Sequence, residues 1–288
     1  MRELYKQYKG LLFTLAYQMM GSVSDAEDAV QDVFVKVHDV QLERLTEPKA
    51  YLCKMVTNRC LDLLQSARKR REQYFGEWLP EPLLTPIQDA SESVIRGELL
   101  SYAMLVMLEK LSPAERAAFV LREALGFEYG AIAELLEKSE PSCRKLLSRA
   151  RGKMGLSVDE VKTLRAEEAT GVWVKRLLKA IERGRVQDVV SILAEDVVLV
   201  SDGGGKAWAA VHPIRSAERV ARFLLGIMKK APDYEGDMEI ELTDINGQTG
   251  VLVRTERQIT AAVLLHVEAG NVQYVYFVRN PDKLTFRQ

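Results

Sequence analysis

The densest set of side chains able to grip an anion lies in "KSEPSCRKLLSRARGKM", residues 138–154, where Arg144, Lys145 and Arg149 alternate with Ser139, Ser142 and Ser148. Winding this stretch as a helix with Cys143, Leu146, Leu147, Ala150 and Met154 inward turns Arg144, Lys145, Ser148 and Arg149 outward. Cationic donors on one helical face can hold phosphates or donate to guanine O6 and N7, and a helix N-terminus bearing the Ser139 and Ser142 hydroxyls suits a phosphate. A second basic cluster, Arg68, Lys69, Arg70 and Arg71, ends another helical stretch, where cations also favour the macrodipole. The opposite sign gathers on "SVSDAEDAVQDVFVKV". Its Asp28 and Asp32 stand four apart, a like-charge pair that costs an isolated helix about 0.2–0.5 kcal/mol, so this face is either solvated or covered by something basic.

Acid–base chemistry would draw on Asp196, Asp202, His212 and His266, since a carboxyl in an apolar cavity can have a raised pKa and act as a base. Each also has a structural reading. Asp202 precedes three glycines in an apparent strand-to-strand turn, His212 precedes Pro213, and the alternation around His266 does not say which way it faces. "GGGK", Gly203 to Lys206, is too short for a phosphate loop and leads to Ala207 in what reads as a strand. It reads instead as a domain-contact turn, with Lys206 reaching a carboxylate such as Glu81. The three cysteines fit neither a disulfide framework nor a zinc pattern, and Cys53 and Cys60 read as small buried hydrophobes. No metal or cofactor is expected.

Charge is balanced, with 40 Lys+Arg against 41 Asp+Glu, so any nucleic-acid site must be local. The opening apolar run is too short to span a bilayer and no small-residue cleavage site follows it, which predicts a cytoplasmic protein with no membrane partner. Helices are predicted up to about residue 155. In the first acidic helix, Ala26, Ala29, Val30, Val33, Phe34 and Val37 recur at helical spacing, with Ser24 and Glu27 in a capping-box pattern. "EPKAYLCKMVTNRCLDLLQSARKRREQYF" carries an apolar stripe through Leu52, Met55, Val56, Leu61 and Leu64, with Asn58, Arg59 and Asp62 on its polar face. "ASESVIRGELLSYAMLVMLEKL" reads as an amphipathic helix. Three more follow, the first capped by Ser112 with Pro113 and Glu115 and stopped by Gly126, the second over 127–137, and the third capped by Ser139 with Pro141 in its first turn. A short helix, a turn and a capped cationic helix describe a helix-turn-helix.

Between the helical halves lies "WLPEPLLTP", residues 78–86. A tether needing only reach would be Gly/Ser-rich, whereas exposed Trp and Leu are costly and Pro stiffens the chain. This tether is built to lie against something. From about residue 169 two helices accompany alternating stretches, "DVVLV", "KAWAAVHP", "DMEIELTDI", "GVLVRTER", "ITAAVLLHVE" and "VQYVYFVR", with turns at Asn246-Gly247 and Ala269-Gly270. Hairpins of an antiparallel sheet are predicted, in an α+β domain.

At residue level, "YGAIAELLEKSEPSCRKLLSRARGKM" resembles region four of the extracytoplasmic-function sigma factors, which binds the promoter −35 element. "LAYQMMGSVSDAEDAVQDVFVKV" with "AYLCKMVTNRCLDLL" resembles their region two, Asn58 and Asp62 keeping the family's Asn-x-x-x-Asp spacing. Three strings narrow the resemblance to the subgroup with a fused SnoaL-like C-terminal domain: "WLPEPL" (Trp78, Leu79, Pro80, Glu81, Pro82), "DGGGK" (Asp202, Gly203, Gly204, Gly205, Lys206) and "NPDKL" (Asn280, Pro281, Asp282, Lys283, Leu284). The resemblance implies a multidomain chain: an all-α region two over 1–74, a linker over 75–92, an all-α region four over 93–156, and an α+β domain with a curved antiparallel sheet over 157–288.

It further implies that Asp28, Gln31 and Asp32 meet the β′ clamp of RNA polymerase core enzyme, with the β subunit a further contact. Asn58, Arg59 and Asp62 would read the unstacked −10 non-template strand, while Arg68, Lys69, Arg70 and Arg71 would hold upstream phosphates. Where many relatives place arginine soon after the aspartate, this chain has Leu64 and Gln65. The expected function is a sigma factor, no enzyme itself, whose C-terminal domain contacts the linker and regulates activity in cis. The alternatives are a plain helix-turn-helix activator, or a bifunctional protein whose last domain binds or converts a small apolar ligand.

Overall fold

The computed structural model describes residues 2–37, 47–84, 99–155, 170–235, 237–255 and 258–286. They fall into two compact units: Met1–Glu72 with Pro86–Arg165, and Gln73–Thr85 with Ala166–Gln288.

The first unit is all-helical. Helices α1 (Arg2–Met20), α2 (Val23–Val37) and α3 (Pro48–Glu72) pack around Leu12, Leu15, Met19, Ala29, Val33, Leu52 and Val56, all buried. The expected face of α2 is the buried one, but its cap lies two residues earlier than predicted: Ser22 Oγ accepts from the Asp25 amide at 3.3 Å and the Ser22 carbonyl from the Ala26 amide. Ser24 is already inside the first turn, so its hydroxyl cannot cap. On α3 the buried stripe also takes in Cys53, Thr57 and Cys60, while Met55 and Leu61 are only half-buried.

Helix α4 (Tyr102–Leu108) begins at its cap, Ser101. Leu99 and Leu100 before it are buried but not helical, and the predicted start of this helix at residues 90–98 lies outside the described residues. Helix α5 (Pro113–Phe119) carries the expected capping box and runs into a π-helical turn over Val120–Ala124, which ends beside Gly126 at φ +69°. Helix α6 (Tyr129–Leu136) closes on Glu137 at φ +52°, and α7 (Glu140–Met154) is capped by Ser139 and closed by Gly155. Cys143, Leu147, Ala150 and Met154 face inward as the periodicity requires.

These two helical segments share one core. Arg116 of α5, 3% exposed, donates Nη1 to the Met19 carbonyl at 2.8 Å and Nε to the Leu108 carbonyl at 3.0 Å, while Nη2 pairs with Glu109 at 2.7 Å. Gln18 accepts from the Leu100 amide, and Lys54 of α3 meets Glu137 at 2.9 Å.

In the second unit, helices α8 (Thr170–Glu182), α9 (Val186–Val190) and α10 (Ala217–Glu235) accompany one sheet of β1 (Leu193–Asp202), β2 (Ile214–Arg215), β3 (Glu239–Ile245), β4 (Gln248–Arg254), β5 (Ile259–Glu268) and β6 (Asn271–Val278). The strand order is β2-β1-β6-β5-β4-β3. Strands β3 to β6 form the expected antiparallel meander, turning at Asn246-Gly247 and Ala269-Gly270 with all four residues at positive φ, the geometry of the favoured two-residue hairpins. The sheet is nevertheless mixed, because β1 runs parallel to β6. No hairpin joins that pair, and the chain between them is long enough for the crossover that a parallel pairing needs. "KAWAAVHP" is not a strand: it wraps as loop, with Trp208 88% exposed. Apolar residues of α8, α10 and the sheet, among them Val174, Leu177, Val220, Leu224, Val251 and Val275, form the core.

Replacing Ser112 by Ala removes one half of the α5 capping box, in which the Ser112 hydroxyl oxygen accepts from the Glu115 amide at 3.4 Å. Urea unfolding of the helical unit should lose about 1 kcal/mol.

Candidate nucleic-acid interface and linker clamp

The cationic face of α7 is as the sequence places it: Ser139, Ser142, Arg144, Lys145, Ser148 and Arg149 are all exposed. Ser139 Oγ accepts from the Ser142 amide, and the two hydroxyls lie 2.9 Å apart, so polar groups cluster where the helix N-terminus favours an anion. On α3, Asn58 and Asp62 are exposed while Arg59 is half-buried. Arg59 donates Nε and Nη2 to Asp32 Oδ2, both at 2.7 Å. That ion pair joins two residues expected to serve different partners. Asp28 and Gln31 are exposed on α2. The backbone at Arg68, Lys69, Arg70 and Arg71 is helical, and their side chains lie outside the described residues.

The second unit holds the linker. Asp202 ends β1 with no exposed surface. Its Oδ1 accepts from Tyr74 Oη at 2.6 Å and the Gly204 amide at 3.0 Å, and its Oδ2 from the Leu79 amide at 2.9 Å and Lys283 Nζ at 2.7 Å. The Lys283 ammonium also donates to the Leu79 carbonyl at 2.5 Å. It lies 4.0 Å from the centre of the Trp78 ring and 5.0 Å from that of Tyr74. A buried charge needs a partner and satisfied donors, and here backbone, phenol and indole supply them. The indole therefore has a physical task, to cover a desolvated ammonium. Leu79, Pro80 and Pro82 are buried, and Trp78 and Glu81 half-buried.

Each glycine of the "GGG" turn has its own reason. A Cβ on Gly203 would lie 2.3 Å from the Ala207 carbonyl oxygen; one on Gly204, at φ +57°, would meet Asn280 Nδ2 and Tyr74 Oη; and Gly205 has φ +70° against Phe75. Asn280 donates Nδ2 to Tyr74 Oη at 2.7 Å and accepts the Asp282 amide on Oδ1, capping a 3-10 turn over Pro281–Lys283. The Asp202 carbonyl takes the amides of Arg279 and Asn280. Lys206 pairs with the Asp282 carboxylate of its own domain at 2.5 Å rather than with Glu81 of the linker, because the 3-10 turn over Pro281–Lys283 brings Asp282 beside it. Leu284 is buried. Farther along, the Asn246 amide donates to the Leu83 carbonyl at 2.8 Å, Asn246 Oδ1 accepts from the Leu83 amide at 3.0 Å, and Leu84 bridges Ile245. Sequence reasoning missed Tyr74, Asn246 and Arg279. Only the Asn-Gly turn gave a signal, and that for a hairpin.

Helices α8 and α10 and the sheet enclose a cavity of about 80 Å³ lined by apolar groups such as Leu177, Ile181, Leu224, Val251 and Phe277, with Thr260 and Arg279 the polar members. None of Asp196, Asp202, His212 or His266 lines it. Asp196 is exposed and accepts from Gln273, His212 is exposed, and the His266 ring lies 6.0 Å from that of Tyr274. Cys53, Cys60 and Cys143 are free and buried, and burial pushes the Cys60 thiol up to about 12, so it stays protonated near neutrality. Among the described residues there is no metal-ligating cluster, and no helix is long and apolar enough to cross a membrane.

Comparison with known proteins places these features. Residues 4–70 match the family model for Sigma-70 region 2, and residues 101–154 that for Sigma-70, region 4. The chain is 34% identical to the ECF RNA polymerase sigma factor SigJ of Mycobacterium tuberculosis, over 95% of this chain and 90% of the relative. It is 26% identical to the probable ECF RNA polymerase sigma factor SigI of the same species, over 97% and 93%. The crystal structure of SigJ superposes with a TM-score of 0.79 at 30% identity, covering 99% of this chain and 98% of that one.

Burial, reinforced by the Asp202 carboxylate that it bonds, pushes the Tyr74 phenol above its ordinary value. A raised folded-state pKa gives stability that is complete below the ordinary tyrosine value near 10 and is lost as pH rises through the folded one. Buried Tyr276 shifts the same way. The thermal midpoint of the C-terminal unit should hold through neutrality and fall in the alkaline range, from about pH 10 upward. Tyr74→Phe should make that fall shallower, the Tyr276 part remaining.

Proposed function

The chain belongs to the extracytoplasmic-function family of RNA polymerase sigma factors, and from that membership we propose how its parts divide the work. It is a promoter-directing transcription initiation factor with a fused C-terminal domain, and it works with RNA polymerase core enzyme and promoter DNA. In our reading Ser139, Ser142, Arg144, Lys145, Ser148 and Arg149 bind the −35 duplex. Asn58, Arg59 and Asp62 read the −10 non-template strand, and Arg68, Lys69, Arg70 and Arg71 hold phosphates upstream. Asp28, Gln31 and Asp32 meet the β′ clamp, with the β subunit a further contact, and the protein acts in the cytoplasm. Two weak grips on DNA suffice because polymerase raises the effective concentration of the second once the first is made.

The clamp around Asp202 and Lys283 is the observation that carries cis regulation. Trp78, Leu79, Pro80, Glu81 and Pro82 lie in the segment that must run between the two promoter-binding regions. Asp202 to Lys206 and Asn280 to Leu284 bind that segment to the C-terminal domain, and so set when the two regions are free to separate. Their shared core at Arg116 and the Lys54–Glu137 pair support a resting state that opens for polymerase. We read the C-terminal domain as non-catalytic, since its candidate acids and bases stand apart from its cavity. The cavity favours a second role beside this one, as a site for a small apolar ligand. Its neighbour Arg279 hydrogen-bonds the Asp202 carbonyl, which would couple occupancy to the clamp.

Run-off transcription with purified core enzyme tests the reading: the full chain should direct a defined start site, which a plain activator cannot do. Asp202→Asn and the Trp78→Ala, Pro80→Gly pair should change promoter-specific yield, by about tenfold for each ~1.4 kcal/mol of clamp free energy lost. Unchanged yield with an unchanged domain arrangement would reject cis control. Arg149→Ala should weaken −35 binding and reduce its salt slope by up to about one unit.

A further inference from the structure

Arg144 is held in place before any DNA arrives. Its guanidinium carbon lies 3.9 Å from the centre of the Tyr129 ring, and its Nη2 lies 3.5 Å from Glu140 Oε2 one turn earlier on α7. The ring belongs to the first residue of α6, so it ties the recognition helix to the preceding one. It is itself braced. Arg122 places its guanidinium carbon 5.0 Å from the same ring and anchors Nη1 on the Phe127 carbonyl at 2.9 Å and on Glu128 at 3.0 Å. The two helix starts approach closely, since a Cβ on Gly130 would lie 3.3 Å from Glu140 Oε1.

An arginine reaching from a helix to a base edge must give up the rotamer freedom of a long side chain. Holding the cation over an aromatic face removes much of that loss in advance. It does so without consuming an N–H donor, because the attraction runs through the ring quadrupole. We propose that Tyr129 is a positioning residue for promoter recognition, its ring presenting the Arg144 guanidinium in the orientation that reads a base pair of the −35 duplex. This rests on the reading of α7 as the −35 helix. It adds a residue of α6 to the set that fixes sequence preference.

The full chain, bound to core polymerase, would be used to select from duplexes randomised across the −35 element, with the recovered pool sequenced. Arg144→Ala should flatten base preference at one or two adjacent positions. Tyr129→Ala should weaken preference at those same positions, by about two- to fivefold, with preference elsewhere kept. Tyr129→Phe, which keeps the ring, should match the parent. The positioning role is overturned if Arg144→Ala flattens those positions while Tyr129→Ala leaves them intact, or if Tyr129→Ala erodes preference uniformly, the mark of a merely structural residue. A Tyr129→Phe variant behaving like Tyr129→Ala would overturn it too, since the hydroxyl would then be the active group. If Arg144→Ala flattens nothing, base reading by Arg144 itself fails and the role of Tyr129 falls with it.

Discussion

A carboxylate and an ammonium removed from water together hold the linker in place. Leaving Asp202 or Lys283 alone in that site would cost about 3–5 kcal/mol, so the pair is tolerable only while the surrounding groups stay in position. Those groups are largely the linker itself: the Tyr74 hydroxyl, the Leu79 amide and carbonyl, and the Trp78 ring. The domain's charge pair is satisfied by the linker, and the linker is ordered by the charge pair. Two prolines with fixed φ lower the entropy lost when the segment is laid down. Such a contact is strong when complete and poor when half made.

The helical unit uses the same economy of buried polar groups. Arg116 lies almost wholly out of water, yet its donors end on the Met19 and Leu108 carbonyls and the Glu109 carboxylate. It thereby ties the region-two helices to the region-four helices. The Asp32–Arg59 pair is more exposed and correspondingly weaker.

The C-terminal domain shows how a fold and a chemistry come apart. Its cavity is apolar, while its carboxylates and imidazoles are spent at the surface, on the sheet or on the clamp. Asp202, which sequence offers as a general base, is instead saturated with donors. What the cavity keeps is a connection: Arg279 lines it and hydrogen-bonds the strand end that grips the linker.

Much was legible because it is local. Periodicity marked α2 and α7, and Ser112 and Ser139 announced their helix starts because a cap needs only the next three residues. Asn246-Gly247 and Ala269-Gly270 marked hairpins for the same reason. The cap at Ser22 and the loop over Lys206 to Pro213 were misread, because a serine two residues away offers the same pattern and because alternation alone does not make a strand without a neighbour to pair with. The helices, the hairpins and the cationic face of α7 could be read from the chain alone, since short-range backbone and side-chain preferences decide these. That Tyr74 meets Asp202, that Lys283 lies beside Trp78, that β1 runs parallel to β6 and that Asp32 pairs with Arg59 emerged only from the folded chain. Each joins residues far apart in the chain, and the burial that gives the contact its strength does not exist until the fold has formed.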